Sequence, residues 1–416
     1  MRLLNIKCFF ILAFATSFSL LSCNKDVEQY PDIDNIADTS SQAAIAATIA
    51  SNANFSLYNE VIKKSEYADT LNNKNFELAM FVPGNAAVKT AVSILTAGAV
   101  PANAPDATVI GFIQSNNFPK ELANSLVKYN TIYIDADLNS LPQTSINRAF
   151  PNMLNPAPNV SPFARLSLFL SKSPGLGYVN NVPVSGAKIT TGNGSIYPVG
   201  AVVMPPRRLL IDRINTDPEL TYFKAAIVRA DSGLTQTQLM SPTQSATGLL
   251  GSFGPNLTVF VPTDAVMRAT LTGLITLKLM AAGVPPMQAQ ADAAALASTP
   301  AVFSNPALRA TLTPLNVKGL IYYHILGTTG FSNNFPTTET DFPTLISLQN
   351  PSAPQLKIKA SFTGPMVSAL TVKGFINTAA ANVIVNPLPD PAGSSDQLYA
   401  NGTLFKIDQV LLPQNF

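Results

Sequence analysis

Asn401-Gly402-Thr403-Leu404-Phe405-Lys406-Ile407-Asp408-Gln409-Val410-Leu411-Leu412-Pro413 reads as a turn, then an apolar run that proline stops. The same pattern stands 208 residues earlier as Asn193-Gly194-Ser195-Ile196-Tyr197-Pro198-Val199-Gly200-Ala201-Val202-Val203-Met204-Pro205. Asn-Gly between apolar runs signals a hairpin, because both turn residues reach positive φ at low cost. Pro198 cannot donate a ladder hydrogen bond, so that strand is expected to be an edge or to bulge there.

Three further blocks recur in the same order. Phe55-Ser56-Leu57-Tyr58-Asn59-Glu60-Val61-Ile62 matches Leu220-Thr221-Tyr222-Phe223-Lys224-Ala225-Ala226-Ile227 at an offset of 165 and has a helical apolar face. Asp217-Pro218 is expected to open the second copy as cap and first-turn proline. Met80-Phe81-Val82-Pro83 matches Val259-Phe260-Val261-Pro262 at 179, a buried strand that ends at proline, with Thr263 or Asp264 placed to cap the helix that follows. Val127-Lys128-Tyr129-Asn130 matches Ile321-Tyr322-Tyr323-His324 at 194. Ordered blocks with growing offsets predict one architecture built twice, the second copy carrying insertions.

With 47% hydrophobic and 12% charged residues, the 416-residue chain is a folded protein of two or three domains. Its net charge of +2 falls to zero once Arg2 and Lys7 are removed, which gives no general attraction for nucleic acid. Arg2 and Lys7 precede the apolar run Cys8 to Leu21, about fourteen residues, which is signal-peptide length and too short for a membrane span. Leu20-Leu21-Ser22-Cys23 resembles a bacterial lipobox. The expectation is therefore a signal peptide over 1–22, a lipid attached at Cys23, and a polar tether to residue 40. By resemblance to lipoprotein sorting rules, Asn24 favours the outer membrane, and Lys25-Asp26 with Glu28 looks like the surface-export signal of Bacteroidetes-type lipoproteins. Membrane contact is then by lipid anchor alone. Ala265 to Val284, broken by Arg268 and Lys278 and closed by Pro285-Pro286, reads as a buried or amphipathic helix.

The strand ending in Val-Pro-Thr-Asp, the Tyr-His pair and the final Asn-Gly ribbon together resemble the fasciclin-like domain family. The resemblance covers residues 41–206, a degenerate first domain, and 207–416, a second one closer to the pattern. It implies an α+β fold of two tandem domains, each a β-sandwich or wedge with packed helices. It also implies an envelope or extracellular setting and a part in adhesion. Partners of that kind are extracellular matrix, a cell-surface protein or a polysaccharide, and the alternative role is an accessory glycan-binding lipoprotein of a polysaccharide-uptake system.

Catalytic chemistry finds little material. His324 is the one histidine, which excludes any site needing two. Ser332 and Asp341 stand nearby in sequence without a nucleophile-elbow spacing. Gly192-Asn193-Gly194 and the glycines from Gly248 to Gly254 lack the lysine and the strand-to-helix setting of a phosphate loop, and read as turns. No cofactor, metal or enzymatic activity is expected. Tyr322, Tyr323 and His324 are the candidate ligand-binding residues by the family resemblance. If they lie on a strand, at most one tyrosine is core and the other exposed. Few residues separate Arg207-Arg208-Leu209-Leu210-Ile211 from Asp217, so 212–215 reads as a short linker.

Overall fold

A computed structural model describes residues 41–134, 136–142, 147–173 and 175–413. The signal sequence, Cys23 and the tether to residue 40 lie outside the described residues.

The first half contains strands β1 (Leu78–Pro83), β2 (Thr131–Ile132), β3 (Arg148–Pro151), β4 (Ser167–Ser173), β5 (Leu176–Val179), β6 (Val182–Pro183), β7 (Ile189–Thr191) and β8 (Gly194–Val199). They form two four-stranded sheets, ordered β2-β1-β8-β7 and β3-β4-β5-β6. The second half contains β9 (Leu257–Pro262), β10 (Ile325–Leu326), β11 (Thr340–Phe342), β12 (Leu356–Thr363), β13 (Met366–Lys373), β14 (Ala381–Asn382), β15 (Gln397–Tyr399) and β16 (Gly402–Ile407). Their sheets run β10-β9-β16-β15 and β11-β12-β13-β14, the same arrangement again. With helices packed on these sheets, the fold is α+β in two tandem units.

Each offset read from the sequence joins equivalent elements. Helix Ser56–Lys64 corresponds to Thr221–Ala230, β1 to β9, helix Lys120–Tyr129 to Pro314–Tyr323, and β8 to β16. β1 and β9 are buried along their whole length, which is why they read as unbroken apolar runs rather than alternating ones. β12 faces solvent on one side and alternates: Leu356, Ile358 and Ala360 inside, Lys357 and Lys359 outside.

The Asn-Gly ribbon does more than close a hairpin. β8 returns antiparallel to β7, but it lies parallel to β1 from Leu78↔Gly194 to Pro83↔Val199. β16 lies parallel to β9 in the same register, from Leu257↔Gly402 to Pro262↔Ile407. Only the glycines take positive φ, 128° at Gly194 and 151° at Gly402. A Cβ on Gly194 would run into the carbonyl of Leu78, and one on Gly402 into the carbonyl of Leu257.

The asparagines are kept for their amides, not for φ. Asn193 Oδ1 accepts from the Ile45 N–H at 2.9 Å while its Nδ2 donates to the Leu71 carbonyl at 2.9 Å. Asn401 Oδ1 accepts from Leu210 N–H at 2.9 Å and its Nδ2 donates to Leu250 carbonyl at 2.8 Å. Pro198 sits inside the sheet order without breaking the β1 register, at Val82↔Pro198. The expected edge is not found: beyond the last β7 pair, Ile189↔Ile196, Val184 pairs with Val199 and Ser185 N–H donates to the Pro198 carbonyl at 2.8 Å, contacts that need no N–H from Pro198.

Three local readings are corrected. Residues 212–215 are not a linker but belong to helix Leu210–Thr216, the counterpart of Ile45–Ser51. Asp217 does not start a helix: it ends that one, with its buried carboxylate on Arg213 at 2.8 Å and Lys406 at 2.7 Å. Asp264 caps a different helix from the one it begins. It accepts from Tyr222 N–H at 2.9 Å and Thr221 Oγ1 at 2.5 Å, as Asn85 accepts from Leu57 N–H at 3.1 Å in the first half.

The halves meet along a packed seam. Asn147 Nδ2 donates to the carbonyl of Thr329 at 2.7 Å and to Asn334 Oδ1 at 2.9 Å. Asn333 Nδ2 donates to Ser171 Oγ at 3.2 Å, and Tyr178 hydroxyl to the carbonyl of Pro365 at 2.7 Å. Phe169 and Phe331 lie 5.8 Å apart within it.

Gly402→Ala is expected to destabilise the protein by more than about 3 kcal/mol, because backbone must shift to admit the methyl. Gly273→Ala, at an exposed helical glycine whose Cβ meets nothing within 4 Å, should be stabilising by roughly 0.5–1 kcal/mol. Urea unfolding of the two variants measures both.

Candidate functional site

Tyr322, Tyr323 and His324 do not lie on a strand. The tyrosines close the helix Pro314–Tyr323 and His324 caps it. All three are buried, at 8%, 0% and 1% exposure. Successive helical positions diverge by about 100° and not by the half-turn of a strand, so both tyrosines can share the inward side. Tyr322 joins the helical core with Phe223 and Leu271, and Tyr323 the core between the second half's sheets with Phe260 and Phe405. The Tyr323 hydroxyl donates to the carbonyl of Gln355 and accepts from Phe375 N–H, both at 3.0 Å.

His324 is a clasp. Its Nε2 accepts from Leu411 N–H at 3.0 Å, which leaves the proton on Nδ1, 2.8 Å from the carbonyl of Leu320. Burial drives the imidazole down to about 4 despite that carbonyl, so it is neutral at pH 7. Asn130 does the same work in the first half: its Nδ2 donates to the carbonyls of Leu126 and Val203, both at 2.9 Å. Each pair of partners is equivalent under the repeat, and so the exchange of histidine for asparagine preserves a tie between helix and closing segment. Ser332 pairs with Asp396 at 2.7 Å, not with Asp341, and neither is a partner of the imidazole. Burial raises the Asp396 carboxyl to about 6, against the Ser332 N–H and hydroxyl that favour its charge.

The second half holds a concave site that the residue-type reading passed over. Helix Asp264–Ala281 has 18 residues against 11 in its counterpart Asn85–Leu95. Helix Pro286–Leu296 and the 3-10 turns Pro300–Ser304 and Pro306–Leu308 follow it. Between the long helix, these turns and helix Pro314–Tyr323 lies a cavity of about 330 Å³. Leu271, Ile275, Phe303, Leu308 and Val317 make its walls apolar. Lys278 is the one charged residue in the lining, and it is exposed. Thr311 also lines the cavity, and its Oγ1 is buried without a hydrogen-bond partner among the described residues. The signal for this site was the jump in repeat offset from 179 to 194, which marks the inserted stretch.

No helix among the described residues is long and apolar enough to cross a membrane. No family model matches the sequence, and no curated protein matches it. Among solved structures, the chain is similar to a FAS1 domain pair from the insect cell adhesion molecule fasciclin I. The two share 12% identity over 86% of this chain and 96% of that one, with a TM-score of 0.31.

His324 and Asp396 oppose each other. As pH falls from 6.5 to about 4, unfolded chain takes up a proton that native His324 refuses, which lowers stability. Asp396 acts in the other sense: between 3.8 and about 6 the native carboxyl keeps a proton that the unfolded chain has lost, so its contribution fades as pH rises. Asp396→Asn should therefore unmask the histidine and lose up to about 3 kcal/mol between pH 7 and pH 4. Wild type should lose clearly less, as read by urea titrations at the two pH values.

Proposed function

We propose that this chain is a non-catalytic interaction module of the adhesion type, held at the outer membrane by a lipid on Cys23 and displayed at the cell surface. The observation that carries the reading is a stiff, apolar loop in the first half. Asn155 pins that loop, with Oδ1 accepting from Ala157 N–H and Nδ2 donating to the carbonyl of Ser161, both at 2.8 Å. Pro156, Pro158 and Pro162 restrict the backbone between. At its tip Val160 and Phe163 are each 87% exposed. Rigid exposed aromatics lose little entropy on contact and are the usual anchors of protein interfaces.

The non-catalytic part of the reading is supported by the state of His324. Both nitrogens of the sequence's one imidazole are engaged by backbone. The fasciclin-like resemblance of the repeat agrees with an adhesive role, and the matrix or a neighbouring cell's surface proteins are the partners it suggests.

Cells displaying the full chain should attach to matrix-coated surfaces better than cells displaying only the anchor and tether. Phe163→Asp should remove most of that gain without altering thermal unfolding. Attachment unchanged by either comparison contradicts the proposal, and saturable binding of a soluble polysaccharide in its place would favour a glycan-uptake role.

A further inference from the structure

We infer that the cavity in the inserted region of the second half is a binding site for an aliphatic monocarboxylate, such as a medium-chain fatty acid. The inference stands apart from the adhesive reading, whose loop lies in the other half of the chain. Two features of the cavity point the same way.

The first is size and lining. At about 330 Å³ the space falls within the range of sites for small molecules, and walls such as Leu271, Ile275, Phe303 and Val317 offer an alkyl chain nothing but dispersion contacts. An enclosed sugar would call for more polar partners than this lining provides.

The second is charge. Lys278 is the only charged residue of the lining, and no carboxylate lines the cavity beside it. Lys278 is exposed, so the cation of this lining is open to solvent. An aliphatic tail taken up there leaves an anionic head beside a cation, where the ion pair stays partly solvated and costs little desolvation.

The insertion explains why the first half lacks an equivalent wall. Asn85–Leu95 stops at 11 residues, so the stretch that carries Ile275 and Lys278 in the second half has no helical counterpart there. Ile275, Phe303 and Leu308 belong to the second half's packed core as well as to the cavity lining, so the site is set against a firm wall.

The test is isothermal titration calorimetry on the unacylated chain beginning at Asn24, since residues 43–416 form one continuous unit. Hexanoate, octanoate, decanoate and decanol are the probes. Carboxylates should bind at one site, with affinity rising roughly fourfold per added methylene until the cavity is full. Leu274→Trp, which fills the space, should abolish binding. Lys278→Met should weaken decanoate by roughly fivefold or more while leaving the melting temperature near wild type. Three results would overturn the assignment: no saturable binding, decanoate binding indifferent to Leu274→Trp, or decanol binding as tightly as decanoate with Lys278→Met silent.

Discussion

A buried carboxamide at the head of a parallel strand pair organises each half of this protein. Asn193 and Asn401 are 5% and 0% exposed, and each ties the first helix of its half to the end of a later turn or helix through one acceptor and one donor. The glycine that follows lets the closing strand lie directly against β1 or β9. That contact brings together residues more than a hundred positions apart and sets the register of the central strands. Phe81 then stacks on Tyr197 with ring centres 5.6 Å apart, and Phe260 on Phe405 at the same 5.6 Å. The second sheet of each half packs over that aromatic layer. A neutral amide suits the position because it satisfies a donor and an acceptor without the desolvation cost of a charge.

Two further ties reuse the same logic with different chemistry. His324 and Asn130 join a helix end to the closing segment, and Asp264 and Asn85 cap the helix that precedes the central strand. In each pair the two halves differ in residue type yet keep backbone partners at equivalent positions. What the repeat preserves is a hydrogen-bond connection rather than a side chain. A degenerate motif in the first half is thus compatible with an intact frame.

The architecture was legible where the signal was periodic or ordered along the chain. Continuous apolar runs ending in proline marked β1 and β9, and the rising offsets aligned the elements of the two halves. Assignments failed where the partner was distant in sequence. Asp217 looks like a helix cap beside Pro218, but Lys406 and Arg213 claim its carboxylate. Tyr322 and Tyr323 look like a strand pair because two apolar residues carry no period of their own. The cavity left no residue-type signature at all, since leucines and isoleucines that line a pocket are indistinguishable in sequence from those that fill a core. Only the longer spacing between blocks betrayed it. The exposed loop at Val160 and Phe163 was equally hidden, because burial and not composition separates an anchor from a core residue.

The seam between the halves and the insertion in the second divide the labour of the molecule. Hydrogen bonds from Asn147, Asn333 and Tyr178 fix one half against the other, while the insertion lengthens the helical layer of the second half. The frame itself rests on the buried asparagine, and Asn401→Ala examines that most directly. The substitution strands the amide of Leu210 and the carbonyl of Leu250, so calorimetric unfolding should show a loss of about 2–5 kcal/mol. Amide exchange should at the same time show Leu210 stripped of protection. A variant that unfolds with wild-type energetics and keeps that amide protected would contradict the account.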